Sequence, residues 1–246
     1  MFNGLRRGML GALHLVFPPR CIGCGGAVAS DFGLCGACWC DTPFVTGLAC
    51  DKCGAPLPGD DEGTPVLCDE CMRIDRPWNR GRAALTYQGT GRRLILALKH
   101  GDRLDLVPPL AGWLHRAALP LLSPDMLVAP IPLHRLRLLK RRYNQSALLS
   151  REMARIARLD HCPDLLLRSR ITPSQEGLGR DARFANVNGA LAVTPKRKDL
   201  LAGRKVLLVD DVMTSGATLA VAAEACMRAG AALVCVVTLA RVAKDA

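Results

Sequence analysis

The chain has 246 residues, half of them hydrophobic, which is enough for one ordinary domain and a small second one. Aromatics make up only 4 %, and the apolar content is mostly Leu, Val and Ala, so strands alternating with helices fit better than an all-β sandwich. The formal charge of +11 points to phosphate-bearing partners, nucleic acid or a phosphorylated sugar, without choosing between them, and no run of eighteen apolar residues offers a membrane span.

At the amino end, Arg6 and Arg7 precede an apolar stretch at 8–17 with the outline of a signal peptide. His14 interrupts it, and Pro18-Pro19-Arg20 stands where small cleavage-site residues belong. A short amphipathic helix and a cytoplasmic location are expected instead.

Nine of the twelve cysteines fall between Cys21 and Cys71. Eight form Cys-x-x-Cys pairs: Cys21/Cys24, Cys35/Cys38, Cys50/Cys53 and Cys68/Cys71. Such a pair wraps one face of a metal, and Gly25 and Gly54 permit the tight turn that follows. Ten residues separate the first two pairs and fourteen the last two, so either loop can close a tetrahedral four-thiolate site. Two structural Zn²⁺ ions in tandem ribbons are expected. An iron–sulfur cluster is the chief alternative, and a disulfide framework suits a cytoplasmic chain poorly. Saturated sites leave no place for water, so both should be structural rather than catalytic. A module of about 60 residues with few large apolar side chains needs such staples. Cys40 has no partner spacing, and no cluster of exposed aromatics here favours nucleic acid. With eight thiolates and two Zn²⁺ counted, the net charge falls to about +7. The cysteine density drops after Cys71, which places a boundary near Arg76–Arg80: an amino-terminal helix and double ribbon over 1–78, and a second domain over 79–246.

In the second domain, 128–134 reads as a strand running into a loop. Residues 134–142 hold Arg135, Arg137, Lys140, Arg141 and Arg142, with Leu133, Leu136, Leu138 and Leu139 interleaved. A helix with one buried face is expected, its basic side either plainly solvated or a phosphate-binding surface that begins at His134 and Arg135. A helix over 146–158 follows. The polar stretch 168–188 is long for a connector and contains Arg170, Arg180 and Arg183, suited to a lid closing on pyrophosphate or to a solvated loop.

Val206-Leu207-Leu208-Val209 reads as a buried parallel strand ended by Asp210-Asp211. Thr214-Ser215-Gly216-Ala217-Thr218 opens a helix running through 219–229 to Gly230, and 233–239 is the next strand. Ligands bind at such carboxyl strand ends in open α/β sheets. Gly216 lets the backbone approach an anion, successive N–H groups and the helix terminus point at it, and Thr214, Ser215 and Thr218 add hydroxyl donors. Two carboxylates before this nest suit the paired hydroxyls of a sugar. A Walker-type loop would need a lysine that is missing.

This segment resembles the signature of type I phosphoribosyltransferases. That resemblance implies a doubly wound parallel α/β sheet, with Asp210 and Asp211 holding the ribose and Thr214 to Thr218, including Gly216 and Ala217, the 5-phosphate. It also implies phosphoribosyl pyrophosphate as ligand, with Mg²⁺ bridging its pyrophosphate and ribose oxygens. Purine-salvage members usually carry aspartate at the place of Thr214, so purine salvage is not implied. Leu98-Lys99-His100-Gly101-Asp102, 128–134, Arg141-Arg142-Tyr143-Asn144-Gln145 and the spacing of Arg168, Thr172, Gln175, Leu178, Arg180, Arg183 and Asn186 resemble ComF-type competence proteins. Arg142 departs from that family's usual glycine. Three roles stay open: a phosphoribosyl transfer enzyme with Asp210 and Asp211 in the catalytic site, a non-catalytic single-stranded DNA handler working with competence-machinery proteins, as the second resemblance implies, or a regulator sensing the sugar pyrophosphate.

Overall fold

The computed structural model describes residues 17–170 and 189–242. The expected amino-terminal helix and most of the expected lid, with Arg180 and Arg183, lie outside the described residues. Two short helices, α1 (Gly36–Cys40) and α2 (Asp69–Arg73), each begin next to a cysteine of one cluster. The sheet begins with β1 (Arg80–Thr86), followed by α3 (Gly89–His100) and α4 (Val107–Ala118). Then come β2 (Leu127–Pro130), α5 (Arg135–Arg141), α6 (Gln145–Ala157) and β3 (Asp160–His161). A small hairpin, β4 (Leu166–Arg168) with β5 (Leu191–Val193), flanks the undescribed segment. The chain closes with β6 (Lys205–Met213), α7 (Ala217–Arg228) and β7 (Leu233–Arg241).

Five strands make one parallel sheet in the order β1-β7-β6-β2-β3. Alternate side chains of β6 enter two different cores. Val206 and Leu208 join α7, Trp78 and the thiols Cys50, Cys53 and Cys71 on one face. Leu207 and Val209 join α3, α4 and α6 on the other. Burial on both faces is why β6 reads as an unbroken apolar run rather than an alternating one. α6, which reaches the sheet after β2 and α5, and α7, which follows β6, therefore pack on opposite faces, which opens a crevice between the carboxyl ends of these two neighbouring strands.

Two expectations need correcting. The strand containing Val206 does not stop at Asp210; it continues to Met213, because β7 still pairs with it there (Val212 with Ala240, Met213 with Arg241), whereas β2 pairs only as far as Val209. The helix over 135–141 has no buried face: Leu136, Leu138 and Leu139 are exposed, Leu139 by 76 %. It projects from the end of β2 as two turns, and no element among the described residues packs over its leucines to bury them.

Both cysteine modules dock on the sheet domain. Near the first, the Asp41 carboxylate accepts from Thr90 Oγ1 at 2.8 Å and pairs with Arg93 at 3.2 Å at the start of α3. Residues 43–45 extend the β1 edge, with Val45 N–H donating to Ala84 O at 3.0 Å. The second module is locked more tightly. Asp51 pairs with Arg80 at 2.9 Å and Arg82 at 2.7 Å, Trp78 Nε1 donates to Lys52 O at 2.6 Å, and Gly81 lets that strand touch the Lys52 carbonyl.

Candidate functional site

The eight paired cysteines form two separate groups, Cys21/Cys24/Cys35/Cys38 and Cys50/Cys53/Cys68/Cys71, each with all sulfurs within 4.8 Å of one another. Sulfurs of Cys24 and Cys35 are 3.6 Å apart, and those of Cys53 and Cys68 are 3.7 Å apart. A tetrahedral zinc with bonds of about 2.3 Å separates its sulfurs by ~3.8 Å, so the donor set and its spacing fit that ion. All twelve cysteines are unbridged. Four thiols so close contend for the same protons: Cys50 is pushed down by hydrogen bonds from Cys53 and Cys71, while Cys71 is pushed up, chiefly by Cys50. A dication resolves that conflict by taking all four as thiolates. Cys40 is exposed and outside both groups.

The second site lies in the crevice beyond β6. Asp210 accepts from Ser146 Oγ, on α6, at 2.9 Å and from the Asp211 N–H at 2.9 Å. Burial pushes its carboxyl up to about 7, reinforced by Asp211 and opposed by those hydrogen bonds and by Lys99. Asp211 forms an ion pair with Lys99, at the end of α3, at 3.0 Å, and its side chain is 14 % exposed. Both residues are half-buried as a whole. Arg168, at the exit of β4, sits in the field of Asp210; burial holds its guanidinium below the usual value, and its Nε has no hydrogen-bond partner among the described residues.

The turn after β6 is left-handed at Gly216 (φ +80°), which caps α7. That φ disfavours any residue with a Cβ, and a Cβ there would also lie 2.5 Å from Arg76 Nη1. Thr214 and Thr218 are half-buried, while Ser215 and Ala217 are buried; Ser215 Oγ accepts from Ala217 N–H at 3.4 Å. The helix thus starts three residues after Thr214, and the intervening turn forms the cradle.

His134 caps α5 through Nδ1, which accepts from Leu136 N–H at 3.3 Å, and Arg135 is exposed. Among the described residues neither is hydrogen-bonded or ion-paired to Asp210, Asp211 or the turn. Sequence reasoning did not assign Lys99, Ser146, Arg76 or Arg241 to the site. Lys99 lies inside a segment the sequence singles out, but its pairing with Asp211 spans 112 positions and leaves no local signal. Arg142, the departure from glycine, has φ +64°, a left-handed conformation that favours glycine.

Fold and site together define a protein with two four-cysteine clusters and a parallel sheet of the phosphoribosyltransferase type. Residues 12–72 match the double zinc ribbon domain, and residues 148–246 match the phosphoribosyl transferase domain. The DNA utilization protein YhgH of Escherichia coli is 31 % identical over 92 % of this chain and 99 % of its own length. Competence protein F of Haemophilus influenzae is 28 % identical over 81 % of this chain and 87 % of its own. A solved structure of the allosteric regulatory enzyme of purine biosynthesis covers 58 % of this chain and 30 % of its own, at 17 % identity and a TM-score of 0.39. The chain belongs to the ComF-type competence protein family, which joins a double zinc ribbon to a phosphoribosyltransferase domain. No helix among the described residues is long and apolar enough to cross a membrane.

Proposed function

We propose that the crevice beyond β6 binds phosphoribosyl pyrophosphate or a closely related sugar phosphate. Asp210 and Asp211 accept from the two ribose hydroxyls, and the Thr214–Thr218 turn takes the 5-phosphate. The observation that carries this reading is a carboxylate pair immediately before a glycine-dependent turn at the carboxyl end of a central strand, next to the point where the helices change sides. Lys99, within reach of Asp211, and Arg168, with an unsatisfied Nε beside Asp210, supply cations for the ligand's pyrophosphate. Mg²⁺ would enter with the ligand, held by pyrophosphate and ribose oxygens and water rather than by a protein cage. In this reading residues 1–78 form the ribbon unit and 79–246 the sugar-phosphate domain of a cytoplasmic protein. His134, Arg135, Arg180 and Arg183 are secondary candidates for phosphate contact.

Where turnover occurs, the anomeric C–O bond breaks, pyrophosphate leaves, and a nucleophile adds to the ribose carbon. The chain's part is positioning and charge stabilisation around an oxocarbenium-like transition state. A thermal-shift comparison tests the ligand assignment. Phosphoribosyl pyrophosphate with Mg²⁺ should raise the melting temperature more than ribose 5-phosphate or pyrophosphate alone. Equal shifts from pyrophosphate alone would indicate a general anion site.

One observation favours a second reading, that of a single-strand nucleic-acid handler. Trp39 and Phe44 from the first ribbon meet Trp113 of α4, with ring centroids 4.8 and 4.9 Å apart, around a cavity of about 730 Å³ that Arg116 also lines. Aromatic faces beside a cation are what stacked bases use, at about 1–3 kcal/mol per base. The relatives' names, DNA utilization protein and competence protein, accord with it. Trp39→Ala should then weaken binding of a single-stranded oligonucleotide about tenfold at low salt in a fluorescence titration. Unchanged affinity, or no binding by the wild type, removes this reading.

A further inference from the structure

The second thiolate cluster and the anion turn are joined by three charged side chains, two of them buried arginines and the third a half-buried glutamate. Glu70 stands between Cys68 and Cys71 on α2, and its carboxylate is 14 % exposed. Arg241 Nη2 donates to Glu70 Oε2 at 2.7 Å, and Arg76 Nη2 lies 3.5 Å from Glu70 Oε1. Both guanidinium groups then reach the back of the turn. Arg76 Nη1 donates to Ser215 O at 2.5 Å, and Arg241 Nη1 to the carbonyl of Thr214, with Met213 O 3.3 Å away. Arg76 is fixed from another side by Trp78, its guanidinium carbon lying 5.4 Å from the ring centroid. Both arginines are nearly inaccessible, at 3 % exposure each.

The consequence follows from peptide geometry. In a trans peptide the carbonyl and the next N–H point in opposite directions. Carbonyls of Thr214 and Ser215 drawn toward the arginines therefore turn the N–H groups of Ser215 and Gly216 the other way, toward the crevice. A charged donor on a carbonyl also polarises its peptide unit, which strengthens the N–H on the far side. Among the described residues Glu70 is the one carboxylate paired with both arginines, and it lies between Cys68 and Cys71 in the chain.

We propose that Glu70, Arg76 and Arg241 form a relay through which the second metal cluster sets the geometry of the anion turn. Glu70 is a positioning residue: it touches no ligand and acts through the arginines. The relay makes the second cluster part of the binding apparatus, whereas the first cluster docks elsewhere, at the start of α3. This rests on the reading that the turn binds a phosphate.

The test uses the full zinc-loaded chain and Glu70→Gln, which keeps the shape and removes the charge. Elemental analysis first establishes two zinc ions per chain in both. Hydrogen exchange is then followed in the 213–218 segment and, as an internal reference, in the 206–209 strand, alongside calorimetric titration with phosphoribosyl pyrophosphate and Mg²⁺. With zinc retained, Glu70→Gln should speed exchange in 213–218 at least tenfold, leave 206–209 unchanged and weaken ligand binding at least tenfold; Glu70→Asp should recover part of both effects. A protein with both zinc ions, unaltered exchange in 213–218 and unaltered affinity overturns the relay. Faster exchange in the variant combined with no ligand binding by the wild type retains the relay and sinks the phosphate reading. Should Glu70→Gln lose zinc or fail to fold, Arg241→Lys, distant from the cysteines in sequence, is followed by the same exchange and titration: faster exchange in 213–218 supports the relay, and unaltered exchange with unaltered affinity overturns it.

Discussion

Asp210 holds the most informative side-chain chemistry of the chain. Its carboxyl is pushed up to about 7 by burial first and Asp211 second, from an ordinary value of 3.8. Between those limits the folded protein keeps a proton that the unfolded chain has released. Stability should therefore fall as pH rises through the window, by up to ~1.4 kcal/mol per pH unit. Asp210→Asn should remove that slope, which denaturant unfolding at pH 5, 6 and 7 would show; parallel slopes in wild type and variant would contradict the assignment. Ribose hydroxyls donate to the ionised form, so ligand binding should strengthen over the same range. The sequence displayed the acidic pair and the small-residue turn as one local word, because strand end, acids and nest are contiguous. It did not display that Ser146 and Lys99 contact the acids, or that Arg168 lies in the field of Asp210, because these residues come from three other elements. Nor did it show that Arg76 packs against Gly216.

Contiguous apolar runs and their breakers marked the helices and strands well. The helices expected at 146–158 and 219–229 are Gln145–Ala157 and Ala217–Arg228, and the strand expected at 233–239 is Leu233–Arg241. Local pattern failed where pairing or packing with another element decides the outcome. Strand β6 runs past its acids because β7 lies beside it, and the leucines of α5 stay exposed because no described element covers them. The contact of the second ribbon with β1 was equally invisible, although it is among the tightest in the chain. A Cβ on Gly81 would sit 2.2 Å from the Lys52 carbonyl and 2.9 Å from Val236 Cγ2, neither on a flexible tip free to move away. Gly81→Ala should cost about 3 kcal/mol or more of stability through forced separation of ribbon and strand. A denaturant midpoint equal to that of the wild type would show that the ribbon does not press on β1 as described.

In the whole molecule the second cysteine cluster shares a core with the sheet. Cys50, Cys53 and Cys71 pack in one continuous group with Trp78, Leu208, Met213 and Val236. A break in cysteine density reveals a change of composition but not whether the two parts bury surface against each other. The same limit hid the aromatic cluster. Trp39 and Phe44 look isolated among the cysteines, and their partner Trp113 comes from a helix some seventy positions away. The proposed class of ligand rests on residues that are local in sequence, since one stretch of nine residues contains both the acids and the turn. That claim is tested most directly by calorimetric titration of phosphoribosyl pyrophosphate with Mg²⁺ into the zinc-loaded wild type and Asp211→Asn. The account predicts binding by the wild type, weakened at least tenfold (about 1.4 kcal/mol) in a variant that still melts cooperatively. Equal affinities in the two proteins, or no heat of binding in the wild type, would contradict it.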